Sequence, residues 1–136
     1  MSGTQGVDLN SAWKDGAEAY LGITMPNFPN FFMLNGPTGP VGNFSLIDIA
    51  EAQWKYVDQL IDRLRAGNAR AVEPTHEAMA DYEEKRIAAA KKTIFGSGCT
   101  SWYLDDTGVP ASWPWSYQAF VDAMAKPDFE DYRFAA

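Results

Sequence analysis

A single cysteine, a single histidine and no long apolar run set the first limits on this 136-residue chain. Cys99 cannot close an internal disulfide, and His76 cannot by itself supply the usual zinc ligand sets, so metal chemistry is not expected. Positive charge is scarce: eleven Lys and Arg stand against eighteen Asp and Glu, a net charge of -7. Nucleic-acid binding relies on clustered cations that release counterions, and Lys91-Lys92 is too small a patch for it. No apolar stretch approaches the roughly eighteen residues of a membrane span, and Ser2 to Asn10 lacks the regions of a signal peptide. The expected location is the cytoplasm. The Gly-x-Gly-x-x-Gly turn of dinucleotide-binding domains is missing as well.

What is present is the material of one folded unit. Hydrophobic residues make up 46% of the chain and charged ones 21%, a globular balance. Gly16, Gly22, Pro26 and Pro29 interrupt the first thirty residues, which read as irregular with at most a short strand. Phe31-Phe32-Met33-Leu34 is a compact apolar run between Pro29 and Gly36-Pro37, and it reads as a buried strand that needs neighbours on both sides. A glycine- and proline-rich loop from Gly36 to Gly42 follows, and then a long helix capped by Ser45 or Asn43. Its expected apolar face is Leu46, Ile49, Ala50, Val57, Leu60, Ile61 and Leu64, and Gly67 marks its end.

The spacing predicts a second, solvent-facing helix over 75–93, with Thr75 as cap, Met79, Tyr82 and Ile87 on its apolar side, and an Asp81–Lys85 charge pair. Beyond Gly96-Ser97-Gly98, Ser101 to Leu104 reads as a short strand and Asp105 to Gly108 as a turn. A last helix over about 116–125 starts at Ser116 and stops before Pro127.

A strand running through a glycine loop into a helix is either a tight connection or a site where free amides and the positive helix end meet an anion or a polarised oxygen. Other residues carry weaker signals. His76 reads as a surface residue, Cys99 as a small buried one, Asp48 and Glu51 as a solvated or packing face. Trp113, Trp115, Tyr117 and Phe120 read as a packing patch, or as an interface if exposed.

The stretch AYLGITMPNFPNFFMLNGPTGPVGNFSLIDIAEAQWKYVDQLIDRLRAG, with the later GCTSWYLDDTGVPASWPWSYQAF, resembles the C-terminal part of Baeyer-Villiger and related class B flavoprotein monooxygenases. The resemblance runs from about Val7 to Tyr132. It implies an α/β, helix-rich fragment: the last strand and following helix of a Rossmann-like FAD domain, about 20–70, then a C-terminal extension of helices and short strands, about 71–136. It also implies that Gly36, Pro37 and Thr38 line FAD, that the amides of Ser45 and Leu46 face a flavin carbonyl, and that Val41, Gly42, Asn43 and Phe44 border the substrate pocket. Trp102 resembles a tryptophan over the nicotinamide of NADPH, although Leu104 to Ala111 lacks the lysine that the family carries after it. Read from its residues alone, Trp102 is equally a core tryptophan.

The activity so implied is insertion of oxygen into a hydrophobic ketone, cyclic or steroid-like, or oxygenation of an amine or sulfide. The family's two glycine fingerprints and its Phe-x-Gly-x-x-x-His-x-x-x-Trp-Pro signature do not occur in this sequence. The expectation is therefore a partial domain, marginally stable and inactive alone, whose partner is the remaining FAD- and NADP-binding domains, either in the same parent chain or in a separate subunit. A binding module without a redox role is the other class of reading.

Overall fold

The computed structural model describes residues 1–40, 45–67, 69–92 and 112–135. Its regular elements are α1 (Leu9–Ala12), α2 (Leu46–Ala66), β1 (Ala71–Pro74), α3 (His76–Lys91), α4 (Tyr117–Ala125) and β2 (Tyr132–Ala135), with single 3-10 turns at Thr4–Gly6 and Phe129–Asp131. The fold is helix-rich, and β1 and β2 pair antiparallel with Val72 opposite Phe134 and Pro74 opposite Tyr132.

Each helix of the sequence reading begins at a side chain able to replace a missing acceptor. Ser45, rather than Asn43, caps α2 by accepting from the Asp48 amide; Thr75 does the same for α3 through Ala78, and Ser116 for α4 through Ala119. Gly67 closes α2, its amide returning to the Arg63 carbonyl. Lys85 and Asp81 form the expected pair at 2.8 Å, on the exposed side of α3.

One main core is built from Tyr20 and Ile23 before α2, Ile49, Tyr56, Val57 and Leu60 within it, Val72 of β1, Met79 and Tyr82 of α3, Trp113, Phe120, Met124, and Tyr132 of β2, while Val7, Leu9 and Trp13 pack on a smaller cluster of Ala19, Met25 and Phe28. Burying each of the large aliphatic side chains contributes about 1.5–3 kcal/mol, which is enough to hold α2 against α4. The predicted aromatic patch is part of this core. Trp113 meets Trp115 at 4.8 Å and Phe120 at 5.5 Å, both edge to face, and Trp115 reaches Tyr82 at 6.1 Å.

Four expectations require correction. Phe31 to Leu34 is not a strand: it is irregular and half-buried, with Leu34 exposed. Its backbone turns to its own neighbourhood, Phe31 N–H donating to Phe28 O and Met33 N–H to Ile23 O, because the chain offers it no flanking strands. Leu46 belongs to the exposed side of α2, and Gln53 and Tyr56 occupy the buried stripe instead. The first thirty residues contain the one-turn helix α1, capped by Asp8. Finally, α3 is not simply solvent-facing, since Met79, Tyr82, Glu83, Arg86 and Ala90 are all buried.

The resemblance implies short strands in the extension, and β1 and β2 lie there; neither is placed by the sequence itself, because four residues each are too few to show alternation. The expected strand at Ser101–Leu104, the turn after it and Cys99 lie outside the described residues. Among the described residues no helix is long and apolar enough to cross a membrane.

Candidate functional site: the glycine loop and the start of α2

The Gly36 loop and the first turn of α2 are joined by Asn35. Its amide donates to Gln53 Oε1 at 2.7 Å and its side-chain Nδ2 to the Leu46 carbonyl at 3.2 Å. Asn35 and Thr38 both adopt left-handed backbone, φ 54° and 64°. Asparagine tolerates this conformation, whereas a β-branched threonine there costs on the order of 1–3 kcal/mol and persists because its surroundings fix it. Thr38 is buried, with its hydroxyl donating to Ala19 O at 3.5 Å.

Gly36 is required by the chain itself. A Cβ there would lie 2.3 Å from the Gly22 carbonyl oxygen, so no larger residue fits without moving backbone. The loop continues through Gly36 O, which accepts from Gly39 N–H, to Gly39 O, which accepts from Trp113 N–H at 3.1 Å. Thus the aromatic patch clamps the far side of the loop, and Asn35 clamps the near side.

At the start of α2, Ser45 Oγ and Ser45 O take the amides of Asp48 and Ile49. The amides of Leu46 and Ile47 have no acceptor among the described residues and carry the positive end of a 21-residue helix. Of the predicted flavin contacts, Gly36, Pro37, Ser45 and Leu46 are at least partly exposed around this junction, while the Thr38 side chain is turned into the protein. The residues fit an acceptor-bearing group: two amides with no acceptor among the described residues and a helix dipole lie at an exposed helix start beside the loop. Val41, Gly42, Asn43, Phe44 and Trp102 lie outside the described residues.

Sequence reasoning missed Asn35 and Gln53. Gln53 is fully buried, and its Nε2 has no partner among the described residues. Its signal was its position: it stands four residues after Ile49 and four before Val57, a polar amide in the middle of an apolar stripe.

His76 is exposed in the first turn of α3, beside a polar recess of about 430 Å³ that also contains Glu73, Glu77 and Arg133. Arg133 pairs there with the buried Glu73 carboxylate. Among the described residues no three His, Cys, Asp or Glu side chains converge as a metal site. Asp48 and Glu51 are both exposed, in keeping with a solvated face.

No family model matches the chain. Curated relatives nevertheless align over all of it. A monooxygenase of Mycobacterium tuberculosis is 36% identical over 139 residues, covering 100% of this chain and 28% of the relative. An FAD-binding monooxygenase of Emericella nidulans is 32% identical, covering 98% and 22%, and a Baeyer-Villiger monooxygenase of Streptomyces coelicolor is 33% identical, covering 96% and 26%. Among solved structures, an oxidized steroid monooxygenase bound to NADP superposes with a TM-score of 0.85 at 27% identity, covering 98% of this chain and 25% of that one. The cyclohexanone monooxygenase of Rhodococcus sp. Phi1 bound to NADP+ gives 0.84 at 26% identity, covering 99% and 26%. The chain thus spans about a quarter of the relatives it matches. From end to end it corresponds to a fragment of a flavoprotein monooxygenase, with Baeyer-Villiger enzymes among the relatives.

Proposed function

We propose that this chain closes the flavin site of an FAD- and NADPH-dependent monooxygenase whose whole form inserts oxygen into a ketone or oxygenates a heteroatom. The supporting observation is the junction at Asn35: a glycine loop bonded to the first turn of a helix whose leading amides have no acceptor among the described residues, in a chain whose relatives include FAD-binding monooxygenases. When bound, FAD would supply the oxygen-activating chemistry and NADPH its electrons.

The work of this chain is placement and charge. The amides of Ser45 and Leu46 would donate to a flavin carbonyl, and the helix end would favour negative charge on that edge by about 0.3–1 kcal/mol, or up to about 2 in a partly buried geometry. Gly36 and Pro37 would line the ring, with Thr38 contributing through its backbone because its side chain is buried. From the family resemblance, Val41, Gly42, Asn43 and Phe44 would border the pocket for a small hydrophobic substrate, and Trp102 would cover the nicotinamide of NADPH.

In the whole enzyme, the Rossmann-like sheet would come from the remaining FAD- and NADP-binding domains, against which this chain would pack. The division would then be FAD-domain residues, about 20–70, followed by an extension, about 71–136. Such an enzyme would work in the cytoplasm. Alone, the chain lacks both glycine fingerprints and would be inactive.

Leu46 offers a specific test, because it is the first residue of α2, where proline is tolerated, and Ser45 before it is already extended with ψ 122°. Leu46→Pro deletes one amide N–H and leaves the helix in place. The host is a chimera in which this chain replaces the matching quarter of the Mycobacterium tuberculosis relative. Retained FAD is expected to fall several-fold in Leu46→Pro and to stay near the starting level in Leu46→Ala. Equal retention in both variants, or a flavin absorption band on the isolated chain, would overturn the reading.

A further inference from the structure

The flavin-side junction continues into an apolar groove of about 500 Å³ along the outer face of α2, lined by Leu34, Leu46, Ile47, Ala50 and Trp54. Leu34 is 48% exposed, Leu46 57%, Ile47 70% and Trp54 54%, which places four of the six exposed large hydrophobics of the described chain on one surface. Ile47, Ala50, Glu51 and Trp54 fall at helical spacings of three and four, so they form a continuous stripe. Opposite it, Ile49, Gln53, Tyr56, Val57 and Leu60 fill the core. Hence α2 carries two apolar faces, and the described residues cover one. A helix of that kind is ordinarily enclosed on both sides, and a contiguous exposed patch marks an interface.

We infer that the Ile47–Trp54 face of α2 is a permanent packing interface, and that its occupant is an apolar surface on the remaining three quarters of the monooxygenase polypeptide. The length of that missing portion is one argument, because the chain accounts for only 21–28% of its curated relatives. Continuity is the other. The groove begins at Leu34 and Asn35, beside the loop proposed to meet the flavin, so whatever completes that site arrives against this face. The inference rests on the proposed flavin-site reading for the occupant's identity and specifies the surface that docks.

The test places Ile47→Asp and Trp54→Lys together in the isolated chain and in the same chimera with the Mycobacterium tuberculosis relative. An aspartate in the first turn suits the helix dipole and lysine is a good helix former, so neither weakens α2 by itself. In the isolated chain, the pair is expected to shift the melting midpoint by less than 2 °C and to abolish concentration-dependent association. In the chimera, it is expected to lower the midpoint by more than 10 °C, while Val121→Asp, an exposed apolar control on α4, leaves it unchanged. A chimera indifferent to the pair would overturn the interface.

A second measurement does not require the chimera to fold. The isolated chain is mixed with the relative's separately expressed remaining portion, and hydrogen exchange is followed over residues 46–54. Exchange slowed at least tenfold supports the interface, and unchanged exchange overturns it. FAD is scored independently: a protected groove without bound FAD sinks the flavin reading alone, and bound FAD over an unprotected groove sinks the interface alone.

Discussion

The phenol oxygens of Tyr56 and Tyr132, 76 residues apart in sequence, meet at 2.7 Å inside the protein, one hydroxyl donating a hydrogen bond to the other. They tie the middle of α2 to the first residue of β2, where Tyr132 also packs edge to face on Tyr20 at 5.6 Å. Both residues are almost fully buried, so the surviving hydroxyl cannot turn to water when its partner is removed. Tyr56→Phe and Tyr132→Phe are each expected to cost about 1–3 kcal/mol, the penalty of an orphaned buried polar group. The double Phe variant should cost less than the sum of the two. A double-mutant cycle by urea denaturation checks this, and strict additivity would remove the bond from the account.

Burial is the leading cause that raises the phenol pKa of Tyr20, Tyr56, Tyr82 and Tyr132 above the ordinary value. A hydrogen bond to Asp131, at 2.5 Å, adds to the shift for Tyr20. A raised folded-state pKa means the folded form holds its proton more tightly, so the contribution is complete below pH 10 and is lost as pH rises beyond it. Stability is therefore expected to fall steeply above about pH 10. Ultraviolet titration should show these four phenols ionising together with loss of the near-ultraviolet circular dichroism. Ionisation that precedes unfolding would contradict their burial.

Glu18 follows the same linkage in a lower pH range. Desolvation first and the neighbouring Glu83 second push its carboxyl above 4.5, while Arg86 pulls it down. Folding therefore favours the protonated form: the contribution is full below pH 4.5 and is lost as pH rises through the elevated folded value. Above that window an ionised Glu18 destabilises the fold. Glu18→Gln is expected to raise the melting temperature near neutral pH and to leave it unchanged near pH 3.5. Equal effects at both values would indicate that the charge is not responsible.

Arg86 grips Glu83 through two bonds of 2.9 Å, from Nε and Nη2, both residues being buried on α3. Truncating Arg86 to Met leaves a buried carboxylate without its counter-charge, and the expected loss is about 3–5 kcal/mol. Arg86→Met with Glu83→Gln should recover part of that loss. Equilibrium unfolding of the single and double variants is the check.

The elements legible in the sequence were those with local causes. Ser45, Thr75 and Ser116 announce helix starts because capping involves residues only three apart, and Gly67 announces an end for the same reason. The 31–34 strand was misread because an apolar run signals burial without saying where its hydrogen-bond partners are. Gln53 and Asn35 escaped notice because their bond joins a loop to a helix eighteen residues later, a relation that periodicity does not encode. Leu46 is instructive in another way. Its apolar character was read as a core position of this chain, whereas it lies on the face that the parent enzyme is proposed to cover.

Gln53 connects the core to the candidate site and can be separated from both. Its Oε1 holds the Asn35 amide while its buried Nε2 has no partner among the described residues. Gln53→Met removes the bond and the orphaned amide together while keeping similar volume, and the two effects oppose each other. The isolated chain is expected to change in stability by no more than about 1 kcal/mol. The loop, however, loses one of its two ties to α2. Hydrogen exchange at Asn35 should quicken at least tenfold, and FAD retention in the chimera should fall although the midpoint of unfolding barely moves. If stability drops by about 3 kcal/mol with the loop still protected, Gln53 is a core-packing residue and the Asn35 tie does not position the site.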